Sequence, residues 1–152
     1  MLPRLDYYAA APEALKPMLA LSRAVNGFGL DHALLELVKL RASQINGCAF
    51  CIDMHARDAM QAGETSARLF LLDAWREAPC YTDRERAALA WTEALTLVAD
   101  THAPDAEYEA LRAHFTDAEI VQLSLAIVTI NGWNRMAIAF RARPGSAVPA
   151  PS

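Results

Sequence analysis

Proline is absent from Met18 to Ala78 and again from Asp105 to Arg143, and neither stretch alternates apolar and polar residues as a half-buried strand would. Two long reaches of chain are therefore free to be helical, and an all-α fold is expected. Leu34, Leu35, Val38, Ala42 and Ile45 recur at helical spacing, defining a helix that starts near Asp31 and breaks at Asn46-Gly47. An earlier helix is expected from about Glu13 to Val25, ending at Asn26-Gly27. Thr82-x-x-Glu85 and Thr116-x-x-Glu119 read as capping boxes, and Ala103-Pro104 sets off a shorter helix from about Glu107 to His114. Five to seven helices follow. From Pro144 onward small and proline residues offer little to bury, so a helical domain over 1–143 and a flexible tail over 144–152 are expected.

With 152 residues, 54% of them hydrophobic, the chain can bury one real core. Its 14 basic residues are scattered against 18 acidic ones, giving a net charge of −4 and no basic stripe for phosphates; nucleic acid is not an expected partner. The longest apolar run, Ile120 to Ile130, holds Gln122, Ser124 and Thr129 and is well short of the ~18–20 residues of a membrane span. Asp6, Glu13 and internal prolines interrupt the N-terminus where a signal peptide would be continuously apolar. A cytoplasmic chain that does not enter the membrane is the expectation. Three cysteines are too few for a disulfide framework, so the close pair Cys48 and Cys51 reads as redox-active or metal-binding.

The Asn46-Gly47 break places Cys48 at the start of a new helix, running to about Ala62-Gly63, with Cys51 in its first turn. Cys48, Cys51 and His55 stand at i, i+3 and i+7 and share a face, continued by Ala59. The positive end of the helix dipole and a neighbouring imidazolium both lower a thiol pKa. Lowering it from ~8.5 to ~6.5 raises the thiolate fraction at pH 7 about 25-fold, while nucleophilicity falls ~6–10-fold. The net gain is a few-fold, so a proton donor worth ~10²–10⁴ is needed as well, and His55 is the candidate. Glu36, among Leu34, Leu35, Leu37 and Val38, is costly to bury unpaired; it can orient His55 or take its proton if the two helices fold back on one another.

Glu36, eleven residues, Cys48-Ala49-Phe50-Cys51, three residues and His55 together resemble the core motif of the AhpD-like alkylhydroperoxidase branch of the carboxymuconolactone decarboxylase superfamily. The segment from Ile130-Asn131-Gly132-Trp133-Asn134-Arg135 to Phe140 is similar to the C-terminal helix of its small members. The resemblance implies an all-α domain that assembles as a homotrimer or homohexamer and needs no metal or organic cofactor. It further implies peroxide reduction in which Cys51 becomes a sulfenic acid and Cys48 resolves it as a disulfide, with Glu36 and His55 as the proton relay and an external dithiol as reductant. The decarboxylase branch lacks the paired cysteines. Phe50 stands where the best-studied peroxidase members carry histidine.

That difference grounds the alternative of a thiol–disulfide adaptor that meets peroxide poorly. A third reading is a zinc-holding oligomer using Cys48, Cys51 and His55, for which Cys80, His102 or His114 would have to supply the missing ligand. His32, His102 and His114 otherwise read as surface or structural histidines. Trp75, Trp91, Trp133, Tyr81, Tyr108 and Phe115 read as packing or subunit contacts, and Cys80 as a buried bystander.

Overall fold

The computed structural model describes residues 2–146 and is helical throughout, with no strand among them. A single turn, α1 (Tyr7–Ala10), is capped by Asp6, whose carboxylate accepts from the Tyr8 and Ala9 amides. It leads into α2 (Pro12–Gly27), which starts on a proline, where the missing N–H costs nothing. Asp31 caps α3 (His32–Asn46) by accepting from the Leu34 amide at 2.9 Å. Gly47 ends that helix at φ +68°, a left-handed conformation that L side chains resist, and Cys48 begins the next as the N-cap of α4 (Ala49–Gln61).

Thr65 caps α5 (Ser66–Leu71), which runs on into a 3₁₀ turn over Leu72–Ala74. Both capping boxes form, Thr82 with Glu85 opening α6 (Asp83–Thr96) and Thr116 with Glu119 opening the long α9 (Asp117–Phe140). Between them lie the single turn α7 (Val98–Thr101) and α8 (Asp105–Arg112). Seven of the nine described α-helices exceed four residues, the number expected at the upper limit; the extra two, α1 and α7, are single turns too short to carry a periodic signal. The short helix expected at Glu107 to His114 lies two residues earlier at each end, because Pro104 acts as its N-cap. Of the tail expected from Pro144, residues 147–152 lie outside the described residues.

The fold is organised around α3, which packs on α4, α6 and α9. Leu34, Leu35, Glu36, Leu37, Val38, Lys39 and Leu40 are buried in succession, so the middle of this helix has no solvent face. One core joins α3 to α6 and α9 through Leu34, Val38, Ala88, Leu123 and Ile127, and a second joins α3 to the α4–α6 region through Leu37, Leu40, Leu72, Trp75 and Leu89. A third collects Tyr7, Phe50, Ile130, Trp133 and Ala137 around Cys48 and Cys51. Helix α9 crosses α2 closely at Gly132, where an added Cβ would meet the Met18 Cε at 3.0 Å.

The expected packing role holds for Trp75, Trp91, Trp133, Tyr81 and Phe115, all buried. Each indole finds an acceptor: Trp75 donates to Glu93 at 2.8 Å, Trp91 to Ser124 at 2.9 Å and Trp133 to Ser22 at 2.8 Å. Tyr108 is partly exposed and lies against Trp91. Cys80 was expected to be buried and is only half-buried, because it lies in the loop before α6 at the edge of the second core.

Candidate active site

The α3–Gly47–α4 hairpin brings Glu36 and His55, nineteen positions apart in sequence, into contact. His55 Nδ1 lies 2.8 Å from Glu36 Oε2. The other carboxylate oxygen accepts from Lys39 Nζ at 2.9 Å, and Lys39 also donates to Asn26 Oδ1 at 2.9 Å. All three ionisable side chains are buried, with Glu36 2%, His55 4% and Lys39 9% exposed. Burial alone would push the Glu36 carboxyl up. The hydrogen bond and charge of His55, followed by the Lys39 ammonium, outweigh it and hold the group at about 2.

The second pair is Cys48 and Cys51, both free and 1% exposed, with their sulfurs 2.7 Å apart. Cys48 Sγ also accepts the Cys51 backbone N–H at 3.4 Å, so the thiol is itself the helix cap. Three kinds of donor lower its pKa: the Cys51 thiol first, then the first-turn N–H groups of Cys51 and Phe50, and the Asn134 amide, acting against burial. Cys51 is pushed up, first because its proton is held by Cys48 and then by burial and the Cys48 charge. The pair behaves as one acid that keeps a proton between two sulfurs, with the charge favoured on Cys48.

The four residues singled out from sequence thus form two close pairs. Cys51, His55 and Ala59 do share the buried face of α4, and no direct hydrogen bond joins His55 to either sulfur among the described residues. His55 stands between two spaces that share Asn26, Lys39 and the imidazole itself. One is a polar cleft of about 410 Å³ that also takes in Glu36, Asp58 and Gln61. The other is an apolar cavity of about 20 Å³, room for a water-sized molecule, walled by Met54, Ile130 and Trp133, residues of the core that surrounds the cysteines.

Sequence reasoning passed over Lys39, Asn26 and the functional weight of Asn134. Asn134 is fully buried on α9; its amide donates to Ser43 at 3.0 Å and accepts from Asn46 at 2.9 Å, while Asn46 also donates to Asn131 at 2.9 Å. These bonds tie α9 to the end of α3, and the Cys48 amide donates to the Ser43 carbonyl at 3.0 Å, which fixes where the cysteine pair begins. A lysine and two asparagines inside otherwise apolar helices were the available signals.

The triple Cys48, Cys51 and His55 does not form a metal cage; the described group that could hold an ion is Glu36, His55 and Asp58, with ligand atoms within 4.8 Å. Lys39 already supplies that cluster with a cation on Glu36. His102 and His114 are exposed, as is His32, and Cys80 sits in a different core.

An all-helical domain with a buried CxxC pair at a helix N-terminus, beside a buried Glu–His pair on the preceding hairpin arm, defines an AhpD-like protein. Residues 12–94 match the sequence model of the carboxymuconolactone decarboxylase family, and the chain belongs to that family. YdfG, an uncharacterised protein of Bacillus subtilis, is 42% identical over 143 residues, 94% of this chain and 97% of its own. A crystal structure from Agrobacterium tumefaciens, of a protein of unknown function provisionally named an antioxidant defence protein AhpD, superposes with a TM-score of 0.93 at 48% identity. It covers 95% of this chain and 99% of its own. The alkyl hydroperoxide reductase AhpD of a Bradyrhizobium strain is 39% identical over 62 residues, 41% of this chain and 32% of its own. At the level of the family, these relationships support a peroxidase-related function.

Proposed function

We propose that the protein is a thiol peroxidase that reduces organic or hydrogen peroxides through Cys48 and Cys51. The observation that carries the reading is the juxtaposition of two free sulfurs 2.7 Å apart with an imidazole one helical turn further along the same buried face. In this reading His55 accepts the Cys51 proton, through the substrate or a water, while Glu36 holds Nδ1. The Cys51 thiolate attacks the terminal oxygen of R–O–O–H: the O–O bond breaks, an S–O bond forms, and the leaving alkoxide takes the proton back from His55 as ROH. Cys48 attacks the sulfenic sulfur, the S–S bond forms, the S–O bond breaks, and the oxygen takes up the proton of the second thiol and leaves as water. The sum is two thiols and one peroxide giving a disulfide, an alcohol and water. An external dithiol then reduces the disulfide by exchange.

Burial of both sulfurs favours a small oxidant over a protein disulfide, which supports the peroxidase against the adaptor. The cycle requires a compartment that keeps its dithiol reduced, and we place it in the cytoplasm. Intact mass and thiol counting of the reduced protein after one equivalent of cumene hydroperoxide test the reading. Wild type is expected to lose two thiols and about 2 Da, Cys51→Ser to form no disulfide, and His55→Ala to react about 10²–10⁴-fold more slowly. Wild-type protein that stays fully reduced would sink it.

A further inference from the structure

Among the described residues, the Tyr8 hydroxyl is the one buried side-chain polar group without a hydrogen-bond partner. Burying a hydroxyl unpaired is costly, and a phenylalanine would fill the same space without that cost. The ring that carries it is firmly placed. Arg4 fastens the chain before α1 to the end of α9, its backbone N–H donating to the Phe140 carbonyl and its guanidinium to the Ala139 carbonyl, both at 3.0 Å. Asp6 then caps α1 by accepting the Tyr8 amide at 3.1 Å. The Tyr8 ring stacks on Trp133, with centroids 6.0 Å apart and planes 14° from parallel, and has the Tyr7 ring beside it at 4.7 Å. Both tyrosines pack into the core that holds Cys48 and Cys51.

That core has little else to offer an incoming oxygen atom. The Trp133 indole is spent on Ser22, and Phe50, Ile130 and Ala137 carry no side-chain donor. Burial chiefly, with the charge of Cys51 adding to it, pushes the Tyr8 phenol up to about 12 against the opposing effect of Tyr7. At neutral pH the hydroxyl therefore keeps its proton and serves as a donor. We propose that Tyr8 is a catalytic residue of the peroxide reaction, its hydroxyl donating a hydrogen bond to the oxygen atom that Cys51 takes from the peroxide. The proposal rests on the peroxidase reading, and it gives the orphaned hydroxyl an acceptor that exists only during turnover. As Cys48 attacks the sulfenic sulfur, the S–S bond forms, the S–O bond breaks and negative charge gathers on the departing oxygen. The Tyr8 hydrogen bond stabilises that charge until the oxygen takes the proton of the Cys48 thiol and leaves as water; Tyr8 keeps its own proton throughout.

Tyr8→Phe removes one oxygen atom and leaves the ring in place, so it tests the role directly. Reduced full-length wild type and variant are mixed with one equivalent of cumene hydroperoxide, and disulfide formation is followed by intact mass, with dimedone present in parallel samples to trap the sulfenic acid. The variant is expected to close its disulfide about 10–100-fold more slowly, the loss of one hydrogen bond to a charged oxygen, and to accumulate dimedone-labelled Cys51. Bis(2-hydroxyethyl) disulfide oxidises the same two thiols with no oxygen atom to bind, and with it the two proteins should react at equal rates. The urea midpoint of the variant should equal or exceed that of wild type, because it buries no unpaired hydroxyl. Equal rates with peroxide, equal slowing with both oxidants, or a lower urea midpoint in Tyr8→Phe would each overturn the proposal. Equal peroxide rates in two active proteins remove the role of Tyr8 alone, whereas a wild type that stays reduced removes the peroxidase reading and this role with it.

Discussion

Glu36 illustrates how a single residue is kept charged in a place that should neutralise it. Its carboxyl titrates at about 2 in the fold against an ordinary 4.5, so the unfolded chain binds a proton there first as the pH drops. The stabilisation from a depressed carboxyl is complete above the ordinary value and is lost as the pH falls from about 4.5 toward 2. Its size is on the order of 3 kcal/mol. Glu36→Gln at pH 7 leaves a buried lysine without its ion pair and should cost about 3–5 kcal/mol. Urea unfolding midpoints of the two proteins should converge between pH 5 and pH 2. A gap that stays constant across that window would show that the ion pairs contribute nothing to the acid response.

At the scale of elements, the α3–α4 junction does the positioning. Gly47 at φ +68° closes α3 and turns Cys48 into the cap of α4, and an alanine there meets no neighbour but must take the same left-handed backbone. Gly47→Ala should therefore destabilise by about 1–2 kcal/mol through backbone strain alone, read as a lower urea midpoint with an unchanged slope. This junction was legible in the sequence, since Asn46-Gly47, the CxxC spacing and the run of apolar residues before it all speak locally. The two capping boxes were legible for the same reason. What stayed hidden depends on what lies opposite: the apolar run around Lys39 hints at burial, but only the approach of α2 and α4 shows that its ammonium meets Asn26 and a Glu36 already held by His55. The network from Asn131 and Asn134 to Asn46 and Ser43 spans more than eighty positions and leaves no local trace.

On the whole molecule, no described helix is long and apolar enough to cross a membrane. Helix α9 buries one side against α2, α3 and α6 and leaves Val121 and Val128, two turns apart on another side, 60% and 58% exposed. Phe70 on α5 is 83% exposed. Scattered apolar residues are ordinary on a surface, but aligned ones on the longest helix fit the homotrimer or homohexamer expected from the motif. Light scattering coupled to gel filtration should give a mass of three or six chains, and Val128→Asp should shift it toward the monomer. A monomeric wild type would remove that expectation. The placement of Cys48 reaches the molecule's redox states too. A thiolate is a strong acceptor for the Cys51 amide and a good partner for the helix dipole, whereas a disulfide sulfur is neither. In the proposed cycle, oxidation of the pair would therefore weaken the cap of α4 and reduction restore it, so the first turn of the helix would loosen in the form that must be opened to its reductant.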